Sequence, residues 1–134
     1  MSGCGFIGLA FIYGEMLVDA LKELQAAREL KELLVAKEGA TVPMTTRDGK
    51  THRVSILVST SAGVTVGFQR QKDGTLALIS DGAEERERQR VVNRIAQRYA
   101  YLTVVSRLTQ QGYSVVEKKE ENDRSIRLVL RRWT

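Results

Sequence analysis

One cysteine, one histidine, one proline and one tryptophan occur in 134 residues, and each scarcity excludes something. Cys4 alone can close no intrachain disulfide and furnishes no multi-cysteine zinc or iron–sulfur cage. His52 alone cannot build a multi-histidine metal site, and it leaves little room for imidazole acid–base catalysis. A single proline rules out a proline-rich linker. Aromatic residues make up 6% of the chain, and no stretch places paired aromatics where they would stack bases on an open strand face. Charge is missing from the start until Glu15. The apolar run 4–13 has no Lys or Arg before it and no clean small-residue cleavage site after it, so it does not read as a secretion signal. It also falls far short of the ~20 residues that span a bilayer. Ser2 stands where a myristoylation signal needs glycine. The expectation is a cytoplasmic protein with no membrane attachment.

What is present is a globular balance of 43% hydrophobic and 28% charged residues. That composition predicts one domain over residues 1–134. The net charge of +5 is unevenly spread. Residues 1–82 carry nine basic and nine acidic side chains, whereas 83–134 carry twelve basic and seven acidic ones. Ten of those twelve are Arg. A basic half of this kind suits an acidic partner, either an acidic protein face or nucleic acid.

Apolar spacing outlines the elements. Residues 5–13 predict a first strand, central and covered because nearly every position is apolar. Leu17, Leu21, Leu24, Ala27, Leu30 and Leu34 recur at steps of three or four and predict an amphipathic helix of about five turns, stopped by Gly39. Its polar side carries Lys22, Glu23, Arg28, Glu29, Lys31 and Glu32. Strands follow at 41–46 and 53–60, joined by an Asp48-Gly49 turn. Val54, Ile56 and Val58 point to one side of the second of these. Val64, Val66 and Phe68 alternate again, and an Asp73-Gly74 turn leads to a strand at 75–80. Asp81 is the expected N-cap of a second helix, running from about 83 to 111 with Gly112 as its stop. Val91, Ile95, Tyr99 and Leu102 form its apolar stripe. Val104, Val105 and Leu108 broaden that stripe and predict deeper packing of the C-terminal half. A terminal hairpin, 113–119 with 125–133, closes the chain. The order predicts an α+β protein with two helices on one face of an antiparallel sheet, ferredoxin-like with an extra C-terminal hairpin.

Candidate chemistry is thin. Gly3-Cys4-Gly5-Phe6-Ile7-Gly8 spells G-x-G-x-x-G, but no strand precedes it and no helix opens at its end, so it reads as a close backbone approach or bulge within the first strand. Cys4 has no local cation to depress its pKa and reads as apolar filler. His52 reads as an ordinary half-exposed side chain, and Glu84/Glu85 and Glu120/Glu121 as solvated charge runs. The strongest signal is Arg86, Arg90, Arg94 and Arg98, spaced i to i+4 along the second helix and drifting about 40° per step. Guanidinium groups so arrayed suit carboxylates or phosphates. Glu84 with Arg88 and Glu87 with Arg90 are placed to neutralise part of that stripe.

Three segments carry a family resemblance: Asn93-Arg94-Ile95-Ala96-Gln97-Arg98-Tyr99-Ala100-Tyr101, Gln111-Gly112-Tyr113-Ser114-Val115-Val116-Glu117, and Ile126-Arg127-Leu128-Val129-Leu130-Arg131-Arg132-Trp133. Together they resemble the domain of unknown function 1257 family, also called the hypothetical chloroplast reading frame 35 family of bacteria and plastids. The resemblance implies a small α+β protein with no assigned catalytic residues. Family members are often encoded near AAA-type ATPases, which implies an accessory place in a multiprotein system. Within the motif, Tyr99 lies on the buried stripe. Asn93, Gln97 and Tyr101 lie off it, free to meet a partner or to bridge to Arg131 and Trp133, where stacking of Arg on Trp is the purely structural alternative.

The expectation is therefore a non-enzymatic adaptor without cofactor or metal, docking an acidic partner, such as an AAA-type ATPase, through Arg86, Arg90, Arg94 and Arg98. A nucleic-acid-binding module using the same helix is the alternative. Self-association through the apolar first strand stays open.

Overall fold

A computed structural model describes the backbone of residues 4–11, 14–120 and 126–132, and the side chains of Phe11 and of 14–112. Chain order is β1 (Cys4–Phe11), α1 (Gly14–Ala26), β2 (Glu32–Val35), β3 (Val42–Thr45), β4 (Thr51–Val54), β5 (Ile56–Ser59), β6 (Thr65–Arg70), β7 (Leu76–Asp81), α2 (Glu85–Gln110), β8 (Tyr113–Glu120) and β9 (Ile126–Arg132). Five strands form one sheet in the order β1-β7-β6-β5-β2, while β3 with β4 and β8 with β9 form two-stranded ladders. This is the α+β class expected. All the described pairings of the main sheet are antiparallel, but β1 stands at the edge of the sheet where a ferredoxin-like sheet has its first strand inside.

Alternation builds the core. Val64, Val66 and Phe68 on and before β6 send their side chains to the helix face, as do Leu76 and Leu78 of β7 and Ile56 and Val58 of β5. Leu17, Leu21 and Leu24 of α1 and Val92 and Ile95 of α2 complete that cluster, so both helices share one sheet face. Each such side chain, once fully buried, contributes roughly 1.5–3 kcal/mol. The β3–β4 hairpin covers the opposite face: Met44 and Val54 bury with Ile79. Gly67 makes that contact possible. A Cβ there would lie 2.5 Å from the Met44 sulfur and 2.8 Å from Val54 Cγ1.

Several expectations are corrected. β1 lies at a sheet edge, not at its centre, because the meander β5-β6-β7 takes the inner positions. Its pairing with β7 shifts register between Ile7 and Ala10, around Gly8. The first helix ends at Ala26, well before Gly39. Arg28 takes the left-handed conformation at φ 64°, with its N–H donating to Gln25 O at 3.0 Å and that of Glu29 to Leu24 O at 2.9 Å. This is a Schellman stop with Arg in the position that glycine usually fills. Leu30 then turns into the core, and Leu34 belongs to edge strand β2, half exposed. The strand expected at 53–60 bends at Ser55, so Val54 faces the hairpin cluster while Ile56 and Val58 face the helices. Asp81 is the last residue of β7, and Glu84 is the N-cap of α2 without a side-chain cap.

Packing along α2 is also the reverse of what was expected. Its buried residues are Arg88, Val92 and Ile95, in the first half, whereas Val104 is 46% exposed. A 26-residue helix is about 39 Å long. The six residues of β7, which leads into it, span only about 20 Å, so α2 is far longer than the strand beside which it starts. The terminal hairpin exists as β8 and β9 with a register shift between Val115 and Glu117. The facing of Ile126, Leu128 and Leu130 lies outside the described side chains.

Candidate functional site

The α2 arginines do not form one ridge. Three steps at i+4 spacing turn by about 120° from Arg86 to Arg98, and that drift carries the last two toward α1. Arg86 is exposed and meets no carboxylate among the described residues. Arg90 pairs with Glu87 at 2.6 Å, yet its side chain stays 76% exposed. Arg94 is only 14% exposed. Its Nε and Nη2 donate to the two carboxylate oxygens of Glu29 at 2.8 and 3.1 Å, and Nη1 donates to Gln97 Oε1 at 2.8 Å. Arg98, 13% exposed, reaches Glu23 at 3.5 Å. Its guanidinium carbon lies 5.4 Å from the centre of the Tyr101 ring, within cation–π range.

Arg88 is a different case. It is 9% exposed. Its Nη1 donates to Ala83 O at 3.1 Å and more weakly to Gly82 O at 3.4 Å. The expected pairing with Glu84 is replaced by this anchoring of the β7–α2 loop, which turns through positive φ at both Gly82 and Ala83. A Cβ on Gly82 would run into Gly63 O.

The motif residues divide along similar lines. Gln97 serves Arg94 and Tyr101 serves Arg98, as described above. Tyr99 packs edge-on against Phe11, ring centres 4.8 Å apart. Asn93 is exposed and accepts a hydrogen bond from Gln89 Nε2 at 2.9 Å. Arg131 and Trp133 lie outside the described side chains, as does Cys4. His52 is half-buried in β4.

An open groove of about 640 Å³ lies between the end of α1, the β5–β6 turn and the first half of α2. Arg28, Glu29, Arg90, Arg94, Asn93 and Gln97 line it together. Sequence reasoning named the α2 members. It placed Arg28 and Glu29 on the outer side of an overlong helix and so missed their meeting with Arg94. Among the described residues, no three His, Cys, Asp or Glu side chains gather as a metal cage would require, and no helix is long and apolar enough to cross a membrane.

Comparison with curated proteins and with solved structures finds no match. A family model does match, over residues 29–129. The span runs from just before β2 into β9 and takes in every α2 residue named above. The chain belongs to the family described as "Protein of unknown function (DUF1257)".

Proposed function

We propose that this protein is a non-enzymatic adaptor that docks an acidic partner protein through the exposed arginines at the start of α2. The supporting observation is the division of labour on that helix. Arg94 and Arg98 are tied to Glu29 and Glu23 of the α1 region, while Arg86 is exposed and Arg90, paired within its own helix with Glu87, stays largely in water. Exposed guanidinium groups on a helix held in place lose less freedom on binding than groups on a mobile loop. Because members of the family this chain resembles are often encoded near AAA-type ATPases, such an ATPase is the first partner to test.

The experiment co-expresses the protein with an AAA-type ATPase from the same organism and measures co-purification. Arg86→Glu with Arg90→Glu is expected to abolish co-purification while circular dichroism and the thermal transition stay as in wild type. Undiminished co-purification by this variant refutes the reading. Nucleic acid is the competing ligand for the same arginines; it predicts retention on RNA or DNA that falls steeply with salt.

A further inference from the structure

The groove beside α2 has an arrangement that specifies a ligand chemistry. Arg28 and Arg90 are exposed and stand on different elements of its rim, one on the turn that stops α1 and the other on α2. Arg94 lies one helical turn beyond Arg90. Its fork is already engaged in parallel by both oxygens of a carboxylate, that of Glu29, at 2.8 and 3.1 Å. Planar two-point contact of this kind is the geometry by which Arg selects carboxylates. Thr60, Ser61, Asn93 and Gln97 add hydroxyl and amide groups that suit a peptide backbone. Among the described residues no aromatic ring lines the groove, so they offer no stacking platform of the kind single-stranded RNA or DNA uses.

We propose that this groove seats an acidic peptide segment of the partner, with a carboxylate on Arg28, one that exchanges with Glu87 on Arg90 and one that exchanges with Glu29 on Arg94. The inference rests on the docking reading and names its ligand. Glu29 acts as the chain's own occupant of the Arg94 fork. Its side chain is 32% exposed at the end of a turn, so a displaced Glu29 returns to water rather than into the core. It therefore competes with the incoming acid, and its removal tightens binding.

The test uses the full chain, isotopically labelled, with a short Glu/Ser peptide as probe and a Lys/Ser peptide, oligo(U) RNA and inorganic phosphate as separate arms. Amide shifts are expected in 28–30, 60–63 and 87–97. Glu29→Gln is expected to tighten peptide binding about tenfold, the order of the ion pair that the peptide would otherwise have to displace. Arg28→Asn with Arg90→Gln, which keeps a residue tolerant of positive φ at position 28, weakens it about tenfold. Arg90→Gln alone, at a solvated position, carries the test if the other variants lose their fold. Shifts centred elsewhere, or unchanged affinity in Glu29→Gln, overturn the groove assignment even where Arg86→Glu with Arg90→Glu still abolishes ATPase capture. Equal shifts with phosphate alone, or preference for RNA at the same residues, overturn it as well. Capture that survives the double charge reversal instead sinks the docking reading itself.

Discussion

The Arg94–Glu29 contact is expected to hold α1 against α2 more firmly than the shorter Arg90–Glu87 contact, and a pair of double-mutant cycles decides it. At an effective dielectric near 20, two unit charges about 4 Å apart attract by roughly 4 kcal/mol before desolvation and ordering are subtracted. For the exposed Arg90–Glu87 pair, 2.6 Å apart at i,i+3, the residue of that sum is about 0.3–0.5 kcal/mol. Arg94 and Glu29 lose less to solvent screening, because their side chains are 14% and 32% exposed, and two parallel bonds form instead of one. Their coupling is therefore expected at about 1–2 kcal/mol. Arg94→Ala by itself costs more, about 2–3 kcal/mol, since it also leaves Gln97 without its donor and removes a packed alkyl stem.

Urea unfolding of wild type, Arg94→Ala, Glu29→Gln and the double variant gives one coupling energy; the corresponding set for Arg90 and Glu87 gives the other. Raising the salt should erode the exposed pair first. The reasoning fails if the two couplings are equal, or if the Arg94–Glu29 value falls below about 0.3 kcal/mol, the lower range for a solvated pair.

The other expectations concern the hairpin face. Gly67→Ala places a methyl against Met44 and the stiff β-branched Val54, and should cost about 1–3 kcal/mol by overpacking. In a Met44→Ala background Gly67→Ala should cost less than it does in wild type in urea melts, and an equal cost refutes the contact. The Thr46 hydroxyl, and after it the Lys50 backbone N–H, hold the Asp48 carboxyl below the usual carboxylate range. A folded-state pKa lowered in this way stabilises the fold above the unfolded-state value and is lost as pH falls through the folded one. Thr46→Val should raise the Asp48 pKa in an NMR titration and shrink that acid-side loss; an unmoved titration refutes the assignment.

Legibility followed the range of the forces involved. Val64, Val66 and Phe68 alternate because a strand has period two, and neighbouring residues suffice to show it. Asp48-Gly49 and Asp73-Gly74 mark their hairpins for the same local reason. The stop of α1 was hidden because leucine spacing continues through Leu30 and Leu34 while Arg28, a residue with no preference for positive φ, makes the left-handed turn. Ser55 gives no sign of its bend, which arises from the need to send Val54 to one cluster and Ile56 to the other. β1 reads as central because it is apolar, yet sheet order is decided by pairings far apart in sequence.

The arginines of α2 show where a helical wheel suffices and where it does not. Arg88 is set about 200° from Arg86, on the side of Ile95, so its burial follows from position alone once the core face is known. The same arithmetic rotates Arg94 and Arg98 away from Arg86, but it cannot say what waits there. That required the turn at Arg28, which brings Glu29 to Arg94 across 65 residues of sequence. A spacing that suggested one uniform basic ridge thus serves two tasks. Its inner members fasten the helix pair, and its outer members are held in place by that fastening. Loosening the Arg98 contact by Glu23→Gln, outside the groove, should therefore weaken docking even though neither outer arginine is touched, whereas a ridge acting through net charge alone would answer only to the number of charges.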